Sequence, residues 1–191
     1  MSRGRLEAFS DGVLAIVITI MVLELAPPHG TALEDLYPLW PKFLSYMMSF
    51  AYIGIYWNNH HHLLQATRVV SGRVMWANLH LLFWLSIVPF GTAWMGENSF
   101  AAIPVAVYGA LLIMPAIAFS LLVRAIIAVP DQPPALADAL GRDIKGYGSI
   151  VAYALAIPMA LNFPLISVAI YIGVALAWIV PDPRFERSAT G

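Results

Sequence analysis

The residues of this chain that could do chemistry sit in or beside apolar runs. Arg5, Ser10 and Asp11 lie at the foot of the first run, Trp57, Asn59, His60 and His61 near the end of the second, and Asn78 and His80 early in the third. An ionisable group inside a membrane is expensive, faces protein or water, and marks a functional hypothesis. Metal ligation by the histidines is limited by geometry: His60, His61 and His62 are consecutive, and a helix turns about 100° per residue, so the three cannot face one ion. No nucleophile stands beside a base, so intramembrane hydrolysis has no support. The favoured reading is a structural network in which buried polar groups satisfy one another, each interhelical bond contributing roughly 0.6–2 kcal/mol. His62 snorkels to the inner interface.

A second pattern lies on the same first helix. Ile16, Thr19, Ile20 and Leu23 follow i, i+3, i+4, i+7 spacing and share one face. Asp11 points about 140° away from Ile16 on an ideal helix. The stripe either packs on a neighbouring helix, as most such stripes do, or lines a pore.

The elements that position these residues follow from composition. Hydrophobic residues make up 60% of the chain, charged residues 11%, and mean hydropathy is +0.76; soluble domains carry about 25% charged residues. Uncharged stretches run over Leu44–Thr67, Val74–Gly96, Asn98–Val123 and Gly146–Pro181, and a spanning helix needs about 20 residues. The last stretch is too long for one helix, and Pro158, Asn162 and Pro164 break it near Asn162-Phe163-Pro164. The expectation is an all-α membrane protein with six transmembrane helices, at roughly 6–26, 43–66, 74–96, 100–124, 146–162 and 164–181. Residues 1–183 read as one domain and 184–191 as a short cytoplasmic tail. The first run carries charges in its foot and no small-residue cleavage site, so no signal peptide is expected.

With six spans, Arg3, Arg5, Arg68, Arg73, Arg124, Arg142, Lys145, Arg184 and Arg187 fall on one side and Lys42 alone on the other. The basic excess marks the cytoplasm, so both termini are expected inside. Glu24, Glu34, Asp35 and Glu97 fall outside, where Glu24, Glu34 and Asp35 either attract cations or belong to a solvated loop. Ala135–Arg142, after Pro130, Pro133 and Pro134, reads as a candidate interfacial helix. The chain has no cysteine, so thiol chemistry is absent, and its net charge of −1 argues against a nucleic-acid partner.

The motifs resemble bacterial members of the transmembrane protein 175 family of potassium channels. The family's R-x-x-x-F-S-D string stands here as Arg5, Phe9, Ser10 and Asp11, followed by Gly12-Val13, Ala15-Ile16, Thr19 and Leu23-Glu24. Trp57-x-Asn59-His60-His61, Asn78 and Pro89-Phe90-x-Thr92-Ala93 are similar to the family's later segments. The motifs cover about residues 5–95, and the expected helix count covers the rest. His62 departs from relatives, which often carry arginine there. The resemblance implies a homotetramer with four first helices around a central axis, in the bilayer of the bacterial inner membrane. Ile16, Ile20 and Leu23 would form an apolar constriction and Thr19 a hydroxyl layer. Arg5, Phe9, Ser10 and Asp11 would join Trp57, His60 or His61 and Asn78 in a network fixing the helix. Potassium would permeate near Thr19, with no cofactor and no other metal. The chain has no T-V-G-Y-G filter, and hydroxyls are weaker ligands than stacked carbonyls, so a modest preference for potassium over sodium is expected, by passive permeation. The alternatives are a secondary transporter using the Asp/His/Asn cluster, which requires discontinuous helices around a midplane site, and a non-conducting helical scaffold.

Overall fold

A computed structural model describes residues 2–130, 132 and 143–179. Six α-helices make up these residues: α1 (Arg3–Leu23), α2 (Trp40–Ala66), α3 (Gly72–Glu97), α4 (Ala102–Ile127), α5 (Ile144–Ala160) and α6 (Pro164–Ile179). A short 3₁₀ helix, Leu33–Leu39, precedes α2. The interfacial helix expected over Ala135–Arg142 and the tail 184–191 lie outside the described residues.

Local sequence explains the boundaries. Ser71 caps α3 by accepting from Val74 N, and Asp143 caps α5 by accepting from Gly146 N. Pro41 in the first turn of α2 and Pro164 at the start of α6 need no amide donor there. Ser99 and Phe100 turn the chain between α3 and α4 in the left-handed region, at φ 47° and 58°. The buried Phe100 ring fastens that turn against Trp40.

Paired contacts set the directions. Residues 3, 7 and 11 of α1 meet residues 65, 61 and 57 of α2, so these helices are antiparallel. Ser10 meets Asn78 and Met21 meets Thr92, so α1 and α3 run parallel. One apolar core joins α1 to α4 through Leu14, Val17, Met21, Ile53, Leu81, Leu85 and Leu122. A second joins α2, α4, α5 and α6 around Tyr52, Tyr108, Tyr153 and Tyr171. Its hydroxyls are paired: Ser49 Oγ lies 2.6 Å from Thr92 Oγ1 and 2.8 Å from Tyr108 Oη. Tyr153 donates to Tyr52 Oη at 3.1 Å, and Tyr52 donates in turn to the Tyr171 carbonyl. α4 approaches α6 closely at Gly109, where any Cβ would strike the Tyr171 hydroxyl.

The expected six membrane-spanning helices require correction. Among the described residues three helices, Arg3–Leu23, Gly72–Glu97 and Ala102–Ile127, are long and apolar enough to cross a membrane. α2 is 27 residues long, but Lys42, Ser45, Ser49, Asn58, Asn59, His60, His61, His62 and Gln65 dilute it. α5 and α6 have 17 and 16 residues, about 25 Å at 1.5 Å per residue, short of a hydrocarbon core of about 30 Å. Freedom from charge marked these segments in the sequence, but crossing also requires length and sustained apolarity. The all-α membrane class stands.

Candidate functional site

α1 has two faces. Leu6, Ser10, Leu14, Val17 and Met21 recur at helical spacing and are buried against the rest of the chain. On the other side Arg5, Phe9, Gly12, Ile16, Thr19, Ile20 and Leu23 are exposed. Ile16 is 59% exposed, Ile20 44% and Leu23 77%, so the stripe is left uncovered by the chain's own helices. Thr19 Oγ1 donates to the Ile16 carbonyl at 2.9 Å. Its proton is thereby committed to the backbone, and the hydroxyl oxygen keeps its acceptor capacity.

A three-residue polar chain anchors the buried face. Ser10 Oγ donates to the Leu6 carbonyl at 2.8 Å and accepts from Asn78 Nδ2 at 2.9 Å. With its amide nitrogen so engaged, Asn78 accepts at Oδ1 from His60 Nε2 at 2.6 Å. All three residues are buried. His60 Nδ1 is the buried side-chain polar atom left without a partner among the described residues.

A second set of bonds ties the foot of α1 to α2 near the surface. Trp57 Nε1 donates to Asp11 Oδ1 at 3.0 Å. His61 Nδ1 lies 2.8 Å from Glu7 Oε1 and donates to it, since a carboxylate can only accept. His61 Nε2 then accepts from Gln65 Nε2 at 2.9 Å, and Arg3 donates to the Gln65 carbonyl at 2.9 Å. Asp11→Asn converts the charge-assisted bond from Trp57 into a neutral one at a partly exposed site. The expected cost is about 1 kcal/mol of stability, read by thermal unfolding in detergent. A loss indistinguishable from zero removes Asp11 from the anchor.

Of the residues singled out from sequence, Ser10, Asp11, Trp57, His60, His61 and Asn78 meet in these two sets. Arg5 and Phe9 do not: both are exposed at the foot of α1 and bond to none of the described residues. Asn59 donates to its own helix, at the Ile55 carbonyl, and His80 accepts from Trp84. Glu7, Gln65 and Arg3 were missed in sequence. The available signal was that Glu7 and Asp11 are four apart, like Trp57 and His61, a match visible only once the helices are known to run antiparallel in this register.

At the other end of α1, Glu24 is exposed. Asp35 accepts from Ala32 N at 2.9 Å, Glu34 is exposed, and Lys42 pairs with Glu97 at 3.3 Å across α2 and α3. Among the described residues no three histidine, aspartate or glutamate side chains gather as a metal site.

The chain is similar in sequence and fold to known proteins. The family model described as endosomal/lysosomal potassium channel TMEM175 matches residues 5–89. A potassium channel of Chryseobacterium sp. (strain P1-3) is 52% identical over 188 residues, covering 98% of each chain. A potassium channel of Streptomyces collinus is 36% identical over 62% of each chain. The human endosomal/lysosomal proton channel TMEM175 is 36% identical over 37% of this chain and 17% of its own. The crystal structure of a lysosomal potassium-selective channel TMEM175 homolog from Chamaesiphon minutus superposes with a TM-score of 0.80 at 29% identity, covering 93% of this chain and 96% of that one.

Proposed function

Since the chain belongs to the TMEM175 family, a family of ion channels and not of enzymes, we propose that it is a tetrameric, modestly potassium-selective channel whose pore is lined by α1. Potassium-channel-type cation permeation through a helical membrane protein follows from the family itself. The observation that carries the finer reading is the stripe Ile16, Thr19, Ile20 and Leu23, exposed by its own chain on the most polar-footed of the long apolar helices. Four such stripes around an axis make an apolar constriction at Ile16, Ile20 and Leu23, which gates by dewetting. The Thr19 oxygens, their protons spent on Ile16 carbonyls, form a ring that replaces part of the hydration shell of a potassium ion. Ser10, Asp11, Trp57, His60, His61 and Asn78 hold α1 in place and do not touch the ion. Arg5 and Phe9 stand on the exposed face at the inner mouth, and Glu24 raises cation concentration at the outer one. The channel sits in a bacterial inner membrane with its N-terminus cytoplasmic, as Arg3, Arg5, Arg68 and Arg73 on that side favour.

A secondary transporter has less support, because α3 and α4 continue through Pro89 and Pro115 without the breaks such a site needs. The test is reconstitution in potassium-loaded liposomes. Potassium efflux is expected, and Thr19→Ala is expected to lower the potassium/sodium permeability ratio several-fold, read from reversal potentials in mixed ions. An unchanged ratio excludes Thr19 as the selective layer, and absence of cation flux under every ionic condition overturns the channel reading for this chain.

A further inference from the structure

A partly enclosed cavity of about 40 Å³ lies between α2, α4, α5 and α6, with room for about three waters or one small organic cation. None of the described residues lining it belongs to α1, so it is separate from the stripe of Ile16, Thr19, Ile20 and Leu23. Four aromatic rings wall it: Tyr52 and Tyr56 from α2, Phe119 from α4 and Tyr153 from α5. They meet in two edge-to-face pairs, Tyr52 with Tyr153 at 6.4 Å and 62°, and Tyr56 with Phe119 at 6.1 Å and 63°. Ile55 and Ala116 add apolar wall, and Asp143 stands at the end where α5 begins.

The polar groups of the lining share one character. Tyr153 donates to Tyr52 Oη, and Tyr52 donates to the Tyr171 carbonyl. Ser149 Oγ donates to the Lys145 carbonyl at 2.8 Å and accepts from Trp178 Nε1 at 2.8 Å. These three hydroxyls have spent their protons, so toward a ligand they can only accept. The Asp143 carboxylate, whose Oδ1 accepts from Gly146 N at 2.9 Å, is an acceptor by nature. Among the described lining residues none is lysine or arginine. Aromatic faces are also negative, so the cavity is complementary to positive charge and hostile to an anion. An alkali ion is poorly served, because it needs oxygens in place of most of its hydration shell, and these walls are largely rings and alkyl groups. An organic ammonium carries charge and apolar surface together, and aromatic cages recognise such cations. The same attraction operates inside the chain, where Lys145 Nζ lies 5.9 Å from the ring centroid of Trp178 at the border of this cavity.

We propose that this cavity binds a small alkylammonium cation, its charge held by the four rings and Asp143 and its alkyl groups packed on Ile55 and Ala116. The site stands apart from the pore reading, because it uses other helices.

The test titrates the full-length protein, in a nonionic maltoside and sodium buffer, with tetramethylammonium and with tert-butyl alcohol, a neutral molecule of similar branched shape. Ligand-observed NMR reads the affinity, and thermal unfolding checks each variant's fold. Saturable binding of tetramethylammonium is expected, about tenfold tighter than that of the alcohol. Asp143→Asn removes the charge and keeps the helix cap, since asparagine caps as well as aspartate; it is expected to weaken binding about tenfold. Phe119→Leu keeps apolar bulk, removes one ring and is expected to weaken binding about threefold. Ala116→Leu fills the cavity and is expected to abolish binding. Thr19→Ala, on the stripe of α1, is expected to leave it unchanged. Equal affinity for the alcohol, displacement by equimolar potassium, or binding that Thr19→Ala removes and Asp143→Asn and Ala116→Leu leave intact each overturns the proposal. A soluble amine and a lipid headgroup share this chemistry, and nanodiscs separate them: binding weakened by phosphatidylethanolamine relative to phosphatidylglycerol alone assigns the site to the headgroup, and equal binding assigns it to a soluble ammonium.

Discussion

Asn78→Ala is expected to lower the unfolding free energy by about 3 kcal/mol. Asn78 is fully buried and both ends of its amide are used, Nδ2 toward Ser10 and Oδ1 toward His60. A typical intramolecular hydrogen bond contributes about 1 kcal/mol net, but a buried group stripped of its partner costs about 1–3 kcal/mol. Alanine strands the His60 Nε2 proton, and His60 Nδ1 already lacks a partner, so the imidazole is left with neither nitrogen bonded. Ser10 still donates to Leu6 and loses less. Interhelical bonds in membranes average about 0.6 kcal/mol where the unfolded chain finds other partners, which sets the lower bound; the stranded imidazole moves the expectation well above it. Asn59→Ala is the control, because that amide reaches only the Ile55 carbonyl of its own helix. The two variants are compared by thermal unfolding in detergent. If Asn78→Ala falls within about 0.5 kcal/mol of Asn59→Ala, the Ser10–Asn78–His60 chain does not hold α1.

Ile16→Asn and Leu23→Asn are each expected to raise potassium flux several-fold without disturbing the fold. In the proposed pore the water column breaks at the narrow apolar rings, and an amide there restores wetting. Both positions are exposed in the chain, so the substitutions strand no polar group in its core. Leu14→Asn, two residues before Ile16, is the contrast. Leu14 is buried at 1% exposure, and an asparagine there loses apolar burial and buries an unpartnered amide, together costing roughly 3–5 kcal/mol. A one-residue-pair shift along α1 should therefore separate a gain of conduction from a loss of folding. Liposome flux at matched protein density measures the first, and thermal unfolding the second. If both exposed-site variants leave flux unchanged, the constriction lies elsewhere.

The hydroxyl and aromatic contacts around Tyr52, Tyr108, Tyr153 and Tyr171 play no part in these expectations. They join α2 to α4, α5 and α6.

Sequence alone determined the membrane class, because transfer energies of side chains add along the chain whatever their neighbours. It also determined which residues share a face of α1, because the helical repeat of about 3.6 residues sets Ile16, Thr19, Ile20 and Leu23 together and Asp11 apart. The motif residues Ser10, Asp11, Trp57, His60, His61 and Asn78 were visible for the same reason, as polar groups too costly to leave in lipid. Three matters were decided only by tertiary structure. Whether the stripe is covered depends on where α2 and α3 pack, and they pack on the Leu14 side. The partners of the polar groups depend on the register between antiparallel helices, which brought in Glu7 and Gln65 and left Arg5 and Phe9 outside. The number of helices long and apolar enough to span depends on where each helix ends and how polar it is throughout, and uncharged runs in the sequence overstated it. In each case a periodicity belongs to one segment, whereas a contact belongs to two, and only the folded chain brings the second one into place.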